Sequence, residues 1–323
     1  MSAPVRLIVN PAAGGGRAGR RAPQVEQALR AQGLTVRRVD TRGLQHAREL
    51  ALQAASAGET IVALSGDGLV GAIADAVRDV PRAVIGLVPG GRGNDLARVL
   101  GIPDDVQAAV KIVAEGHMRA VDLGLVEGID SVDGGRAFVG IASVGFDSDA
   151  NRIANEAPAW LGGLVYLYGA LRALAAWRPA RFTIACPRTG ELLHSPAEDQ
   201  PSERHVLSAY SVGAANSKAY GGGMYAAPGA MLDDGLLEVV VVEDMSKLAF
   251  LTKILPKVFS GAHVREPGVR VFRAREVTLS ADRPFTMYAD GDPIAKLPVR
   301  VRALPAAITM ITPAQPGPAF SGG

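Results

Sequence analysis

Three glycine-rich stretches, each placed directly after an apolar run, hold the residues best arranged for chemistry: NPAAGGGRAGRR (10–21), SGDGL (65–69) and PGGRGND (89–95). Glycine admits positive φ and close approach of the backbone to a ligand, and the N–H groups of a following helix point at an anion. Phosphate is the anion that such loops suit in general. Asp67 and Asp95, in the second and third loops, add the carboxylates that a polyphosphate and its metal require. No G-x-x-x-x-G-K-[ST] run is present, which excludes a Walker-type site. Two local readings stay open. Asp67 taken alone is also a good helix N-cap, worth about 1 kcal/mol. Gly14, Gly16 and Gly19, with Asp40 at the end of the next strand, also meet the dinucleotide fingerprint of an oxidoreductase. Further on, Asp290-Gly291-Asp292 and Asp233-Asp234-Gly235 read either as functional carboxylates or as hairpin turns.

The elements that must carry these loops are legible over the first 125 residues. VRLIVN (5–10), LTVRRVD (34–40), TIVALSG (60–66) and AVIGLVPGG (83–91) read as strands, with helices expected over 21–33, 47–58, 70–79 and 106–116. Apolar strands alternating with helices imply a doubly wound, mostly parallel sheet covered on both faces. Ligands in such folds bind at the carboxyl ends of the strands, where all three loops lie. After AVDLGLVEG (120–128) the pattern turns to strands at 136–146, 180–187, 205–216, 236–244, 268–281 and 283–292, with helix expected over 150–176 and 246–260. This part reads as a C-terminal β-sandwich or barrel. The expected organisation is an α/β domain over 1–125, completed by about 304–312, a β-rich domain over 126–303, and a flexible tail at 313–323.

Composition narrows the function classes. A formal charge of +2 among 323 residues, 48% of them hydrophobic, describes a soluble globular chain without a nucleic-acid field. The single cysteine, Cys186, excludes an internal disulfide and a cysteine-based zinc site, and the five histidines show no ligand spacing. The short apolar start suits neither a signal peptide nor an anchor. The segment 157–177 is about a bilayer in length but is broken by Pro158, two glycines and Arg172. A cytoplasmic protein without a transmembrane segment is the expectation.

Taken in order, VNPAAGGG, SGDGL, PGGRGND, VDLG, GFD, YGGGMYAAPGAMLDDGLLEV and YADGD resemble the diacylglycerol kinase catalytic family, which includes bacterial soluble lipid kinases and sphingosine kinases. The resemblance runs from about residue 5 to 312. It implies an ATP- and Mg²⁺-dependent lipid kinase with a nucleotide domain, a β-sandwich domain and a cleft between them. Diacylglycerol is the implied acceptor, and SGDGL is also the sphingosine kinase form. Asn10, Thr41, Ser65, Gly66, Asp67, Gly68 and Leu69 fall on nucleotide-binding positions, as do Gly91, Arg92, Gly93, Asn94 and Asp95. Asp67, Asp95, Asp122 and Asp290 fall on acidic positions that organise magnesium and water. Asp292 falls on the general-base position, usually Glu, and Met231, Asp234 and Leu236 fall on a structural magnesium site. Leu69, Gly71, Ala72 and Arg92 depart from the bacterial pattern, so a catalytically silent nucleotide-binding relative is the competing expectation. The implied partner is a lipid met by peripheral contact at a membrane surface, with a homodimer left open. Helix 158–176 is the candidate wall of the lipid slot, and 144–155, with Asp147 or Asp149, the candidate headgroup contact.

Overall fold

A computed structural model describes residues 3–129, 134–146, 148–149, 153, 165–186, 204–315 and 317–321. Asp147 and most of 150–164 lie outside the described residues, so the candidate lipid slot is seen only from Val165 onward. The chain begins β1 (Val5–Val9), α1 (Ala13–Ala31), β2 (Val36–Asp40), α2 (Leu44–Ser56), β3 (Thr60–Ser65), α3 (Asp67–Val77), β4 (Val84–Pro89), α4 (Asp95–Leu100) and α5 (Val106–Glu115). β1 pairs in parallel with β2 and β3, and β3 with β4, which gives the order β2-β1-β3-β4. Leu7, Ile8, Ile61, Leu64 and Ile85 are fully buried between the helical layers. The apolar strands are apolar because both faces of the sheet are covered.

The second half contains β5 (Met118–Gly128), β6 (Arg136–Phe138), β7 (Ile141–Gly145), α6 (Val165–Ala176), β8 (Ala180–Ala185), β9 (Arg204–Ala215) and β10 (Leu237–Glu243). Then come α7 (Lys247–Ala249), a π-helical turn (Phe250–Ile254), α8 (Leu255–Val258), β11 (Val269–Ala274), β12 (Glu276–Ala281), β13 (Thr286–Ala289), β14 (Asp292–Lys296) and β15 (Val299–Ile311). The 268–281 stretch is thus two strands rather than one, interrupted at Arg275. A separate core of Phe182, Val212, Val239, Leu279, Met287 and Val299 fills this sandwich-like antiparallel part.

β5 and β15 run through the positions where composition shifts, at 125 and 304. They pair with each other from Val299↔Gly128 to Ile311↔Met118. At one end β15 pairs with β12 of the sandwich; at the other, Thr309 and Met310 lie parallel to Val84 and Ile85 of β4. The two halves are therefore joined by a shared two-stranded ribbon. A bulge separates Leu304 from Ile308 in that ribbon, with Ala306 at φ +50°.

The chain end expected to be flexible is instead seated on the α/β half. The Ala319 carbonyl accepts the Leu232 N–H at 2.8 Å, and Phe320 is 3% exposed beneath the Arg119 guanidinium, 5.4 Å from the ring centre. Gly317 passes so close to α4 that a Cβ there would lie 2.2 Å from the Val99 carbonyl oxygen. Composition hid this because the buried positions among the described residues of the tail are few, Gly317, Ala319 and Phe320. Replacing Phe320 by Ala removes a buried ring and is expected to cost about 3 kcal/mol in chemical denaturation, and deleting 317–323 at least as much. An unchanged midpoint for both variants contradicts this seating.

Candidate active site

The three glycine loops meet at the carboxyl ends of β1, β3 and β4, and they meet backbone against backbone. A Cβ on Gly91 would lie 2.4 Å from the Gly66 Cα, and one on Gly14 would lie 2.5 Å from the Gly90 carbonyl oxygen. Only glycine fits at such distances. The Gly90 N–H donates to the Ser65 carbonyl at 2.8 Å, and the Asn94 side chain accepts the Gly91 N–H at 2.8 Å. Arg17 donates to the Gly91 carbonyl and pairs with Asp104 at 3.2 Å, while Arg21 pairs with Asp104 at 3.1 Å. These two arginines brace the third loop. Asp40 is held by Arg38 through two 2.8 Å bonds, and Gly14 is packed against Gly90.

Asp67 is the first residue of its own helix and does not cap it; no side chain does. Its carboxylate instead reaches across to α4, where Oδ2 accepts the Asp95 N–H at 3.1 Å and Oδ1 the Leu96 N–H at 2.9 Å. The capping expected within one helix is made between two, and it ties the second loop to the third. Asp95 pairs with Arg98 and accepts the Gly222 N–H at 2.7 Å, which ties the third loop to the β-rich half. Asp290, at φ +50°, accepts the Val139 and Gly140 N–H groups at 2.9 and 2.8 Å. Gly71 makes room for it, since a Cβ there would meet the Asp290 carboxylate at 2.5 Å.

Asp67, Asp95 and Asp290 face one cavity of about 90 Å³, walled by residues of both halves, among them Leu96, Gly140, Ser217 and Tyr220. Among the described residues no lysine or arginine lines it. Burial raises Asp67, with Asp95 adding repulsion, and burial pushes Asp290 up to about 7, with Asp67 and Asp292 adding to the rise. Asp95 has Arg98 as its counter-ion, whereas Asp67 and Asp290 are met only by backbone N–H groups, and this acidity fits a hard divalent cation, which binds through one or two carboxylates and completes its shell with water and phosphate oxygens. Among the described residues no group of three or more side chains forms a ready-made metal cage. Asp292 stands beside the cavity. Its carboxylate is 3.5 Å from Arg136 and would be 3.7 Å from a Cβ on Gly68, and burial raises it against the pull of Arg136 and Arg48.

The remaining expected residues are distributed as follows. Asn10 closes on the Ala12 N–H at 3.2 Å, and the Thr41 hydroxyl donates to the Gly43 carbonyl at 2.7 Å, each at the end of its strand. Gly93 packs beside the Asp67 and Asp95 carboxylates, and Arg92 is exposed. Leu69 is a core residue, 3% exposed, so the departure from threonine there removes no side chain from the cavity. Asp122 is away from the cavity. Its buried carboxylate accepts the Gly235 N–H at 2.6 Å and the Ala306 N–H at 2.7 Å, which fixes the bulge of β15. Asp234 accepts the Leu236 N–H at 3.0 Å and lies 3.6 Å from the Arg273 guanidinium. Asp122 and Asp233 are further acidic neighbours of Asp234, and burial raises its proton affinity. Sequence reasoning missed Arg136, Ser217 and Gly222; the run of three glycines at 221–223 was the available signal for the last.

Asp290 makes the fold pH-dependent with a definite sign. An unfolded aspartate titrates near 3.8, so between there and about 7 the folded protein keeps a proton that the unfolded chain has released. This contribution is full below the unfolded value and is lost as the pH rises through the folded one. From pH 5 to pH 8 the wild type should therefore lose about 2.5 kcal/mol more stability than Asp290→Asn in chemical denaturation. Parallel pH profiles for the two proteins refute the assignment.

Residues 4–126 match the model of the diacylglycerol kinase catalytic domain, and residues 140–312 match that of the YegS C-terminal NAD kinase beta sandwich-like domain. A diacylglycerol kinase of Mycobacterium tuberculosis is 30% identical over 313 residues, covering 96% of this chain and 95% of the relative. A diacylglycerol kinase of Staphylococcus saprophyticus is 26% identical over 310 residues, 95% of each chain. The crystal structure of a diacylglycerol kinase from Bacillus anthracis superposes with a TM-score of 0.71 at 21% identity, over 96% of this chain and 97% of the other, and so shares the fold. The oxidoreductase reading of the first loop is thereby set aside, and with both family models matched in sequence order the chain belongs to the diacylglycerol kinase family of lipid kinases.

Proposed function

We propose that the protein transfers the γ-phosphate of ATP to the hydroxyl of a lipid, with diacylglycerol as the first candidate and a sphingoid or other long-chain alcohol as the second. One observation carries this reading: three carboxylates from the α/β and β-rich halves face one cavity at the carboxyl ends of the parallel strands. Phosphoryl transfer asks a protein mainly to position reactants and neutralise charge. The backbone amides of the three loops, with Asn10, Thr41, Ser65 and Gly66, are the proposed seat of the nucleotide, and exposed Arg92 its proposed phosphate contact. Asp67, Asp95 and Asp290 would hold Mg²⁺, which supplies charge neutralisation of the phosphates when bound.

Asp292 is the proposed general base. Its raised proton affinity moves it toward neutrality, where a base is effective, and Arg136 at 3.5 Å holds it on the cavity side of Gly68. Aspartate is about 1.5 Å shorter than the glutamate usual in the family, so the acceptor hydroxyl must come close or be reached through a water. The parentage of the substrate implies work at a membrane surface from the cytoplasmic side. No helix among the described residues is long and apolar enough to cross a membrane.

The test is transfer of radiolabel from γ-labelled ATP to a total lipid extract, with the product identified by mass spectrometry. Magnesium-dependent labelling of one lipid class is expected, and Asp292→Asn should lower kcat by about 10²- to 10⁴-fold while leaving the folded state intact. Asp67→Asn should abolish transfer and also cost about 1 kcal/mol of stability, because one of its two helix-capping acceptors is lost. Absence of labelling across the extract, with ATP still bound in calorimetry, would establish the catalytically silent relative instead.

A further inference from the structure

The segment 245–265 is unlike the rest of the chain. It reads MSKLAFLTKILPKVFSGAHVR, has no acidic residue, and holds Lys247, Lys253 and Lys257, three of only six lysines in a protein whose positive charge is otherwise arginine. Its inward face is anchored by Phe250 and Ile254, with Met245, Leu251 and Leu255 packed around them. Phe250 stacks on Tyr210 at 4.9 Å and meets Phe146 at 5.0 Å, and Ile254 is buried in the same cluster. The π-helical turn Phe250–Ile254 adds a residue to that stretch of helix and sets the outer face. There Leu248 is 71% exposed and Phe259 57%, with Thr252 and Pro256 exposed between them. Leu248, Thr252, Pro256 and Phe259 follow one another at four, four and three residues, which makes a single ridge along the segment.

The charge within the segment is positive, and Asp244 and Glu266 bound it. Lys253 has no ion pair among the described residues, Lys247 donates to the Ala175 carbonyl at 2.8 Å, and Lys257 pairs with Glu266. The ridge also adjoins the cavity wall. The Val258 carbonyl accepts the Tyr225 N–H at 2.8 Å, and Tyr225 follows the Tyr220–Met224 bridge whose Tyr220 and Gly221 line the cavity. At its other end Lys247 touches the last turn of α6. Exposed large apolar side chains beside three lysines, one of them without an ion pair among the described residues, match an interface in which apolar groups enter the headgroup region and ammonium groups meet anionic lipid.

We propose that the ridge Leu248–Phe259, with Lys247, Lys253 and Lys257, is the element that docks the enzyme on an anionic bilayer and sets the cavity mouth against it. The proposal rests on the lipid-kinase reading for its partner. Its test is independent of catalysis: co-sedimentation with vesicles of phosphatidylglycerol and phosphatidylcholine in equal parts, without nucleotide. Wild-type protein should sediment with these vesicles, less with phosphatidylcholine alone, and less as salt rises. Leu248→Asp with Phe259→Asp should lower the bound fraction about 10-fold or more, and Lys247→Gln with Lys253→Gln and Lys257→Gln should remove the salt dependence. Met118→Asp with Val206→Asp changes equally exposed apolar residues elsewhere and should bind as wild type.

Unchanged thermal midpoints confirm that the variants fold, as expected for exposed positions, and transfer to a lipid presented in detergent micelles should survive in the ridge variant. Wild type that ignores anionic vesicles, a ridge variant that binds them as well as wild type, or self-association through this face without vesicle binding would each overturn the proposal. Ridge-dependent vesicle binding without any lipid phosphorylation upholds the docking and defeats only the kinase reading.

Discussion

The structure depends on where the Asp67 carboxylate finds its hydrogen bonds. An ionised carboxylate taken out of water is stabilised only if donors replace the water it loses. Asp67 obtains two from the first turn of α4, twenty-eight and twenty-nine residues along the chain. Asp95, in that same turn, obtains one from Gly222, and Asp290 obtains two from Val139 and Gly140. Each acid that faces the cavity therefore also pins two segments together. The charges proposed for chemistry and the bonds that assemble the cleft are the same groups.

This double use explains the glycines better than loop flexibility does. Gly66 and Gly91 lie against each other because the carboxylate of Asp67 draws α4 inward, and Gly71 and Gly140 leave the space into which the Asp290 carboxylate fits. A side chain at any of these positions would push an acid away from its donors. The residues after Asp67 that differ from the bacterial pattern then have local reasons: Leu69 completes the core under α3, and Gly71 receives Asp290.

Much of this was legible in the sequence, and the failures have a common cause. Apolar strand runs followed by glycine loops located the parallel sheet and the edge at which the loops converge, because strand burial and positive φ leave marks on neighbouring residues. Interactions between segments far apart leave none. Asp67 looked like the cap of its own helix, since the helix it does cap lies beyond β4. The Asp122 carboxylate bonds to Gly235 and Ala306, more than a hundred residues away, and no local pattern marks either partner. Composition changed at 125 and 304, but backbone hydrogen bonding is indifferent to composition, and β5 and β15 run on through both positions. Phe320 was read as tail because a single buried ring makes no pattern.

The placement of β15 bears on how the chain is made. The α/β half is encoded first, yet β4 gains its outer neighbour only from Thr309 and Met310, near the other end of the sequence. During synthesis from the N-terminus, β4 presents a bare edge until Thr309 and Met310 have emerged from the ribosome. Unpaired strand edges of this kind are where nascent chains associate wrongly. The sheet of the α/β half is therefore completed only once the β-rich half has been made.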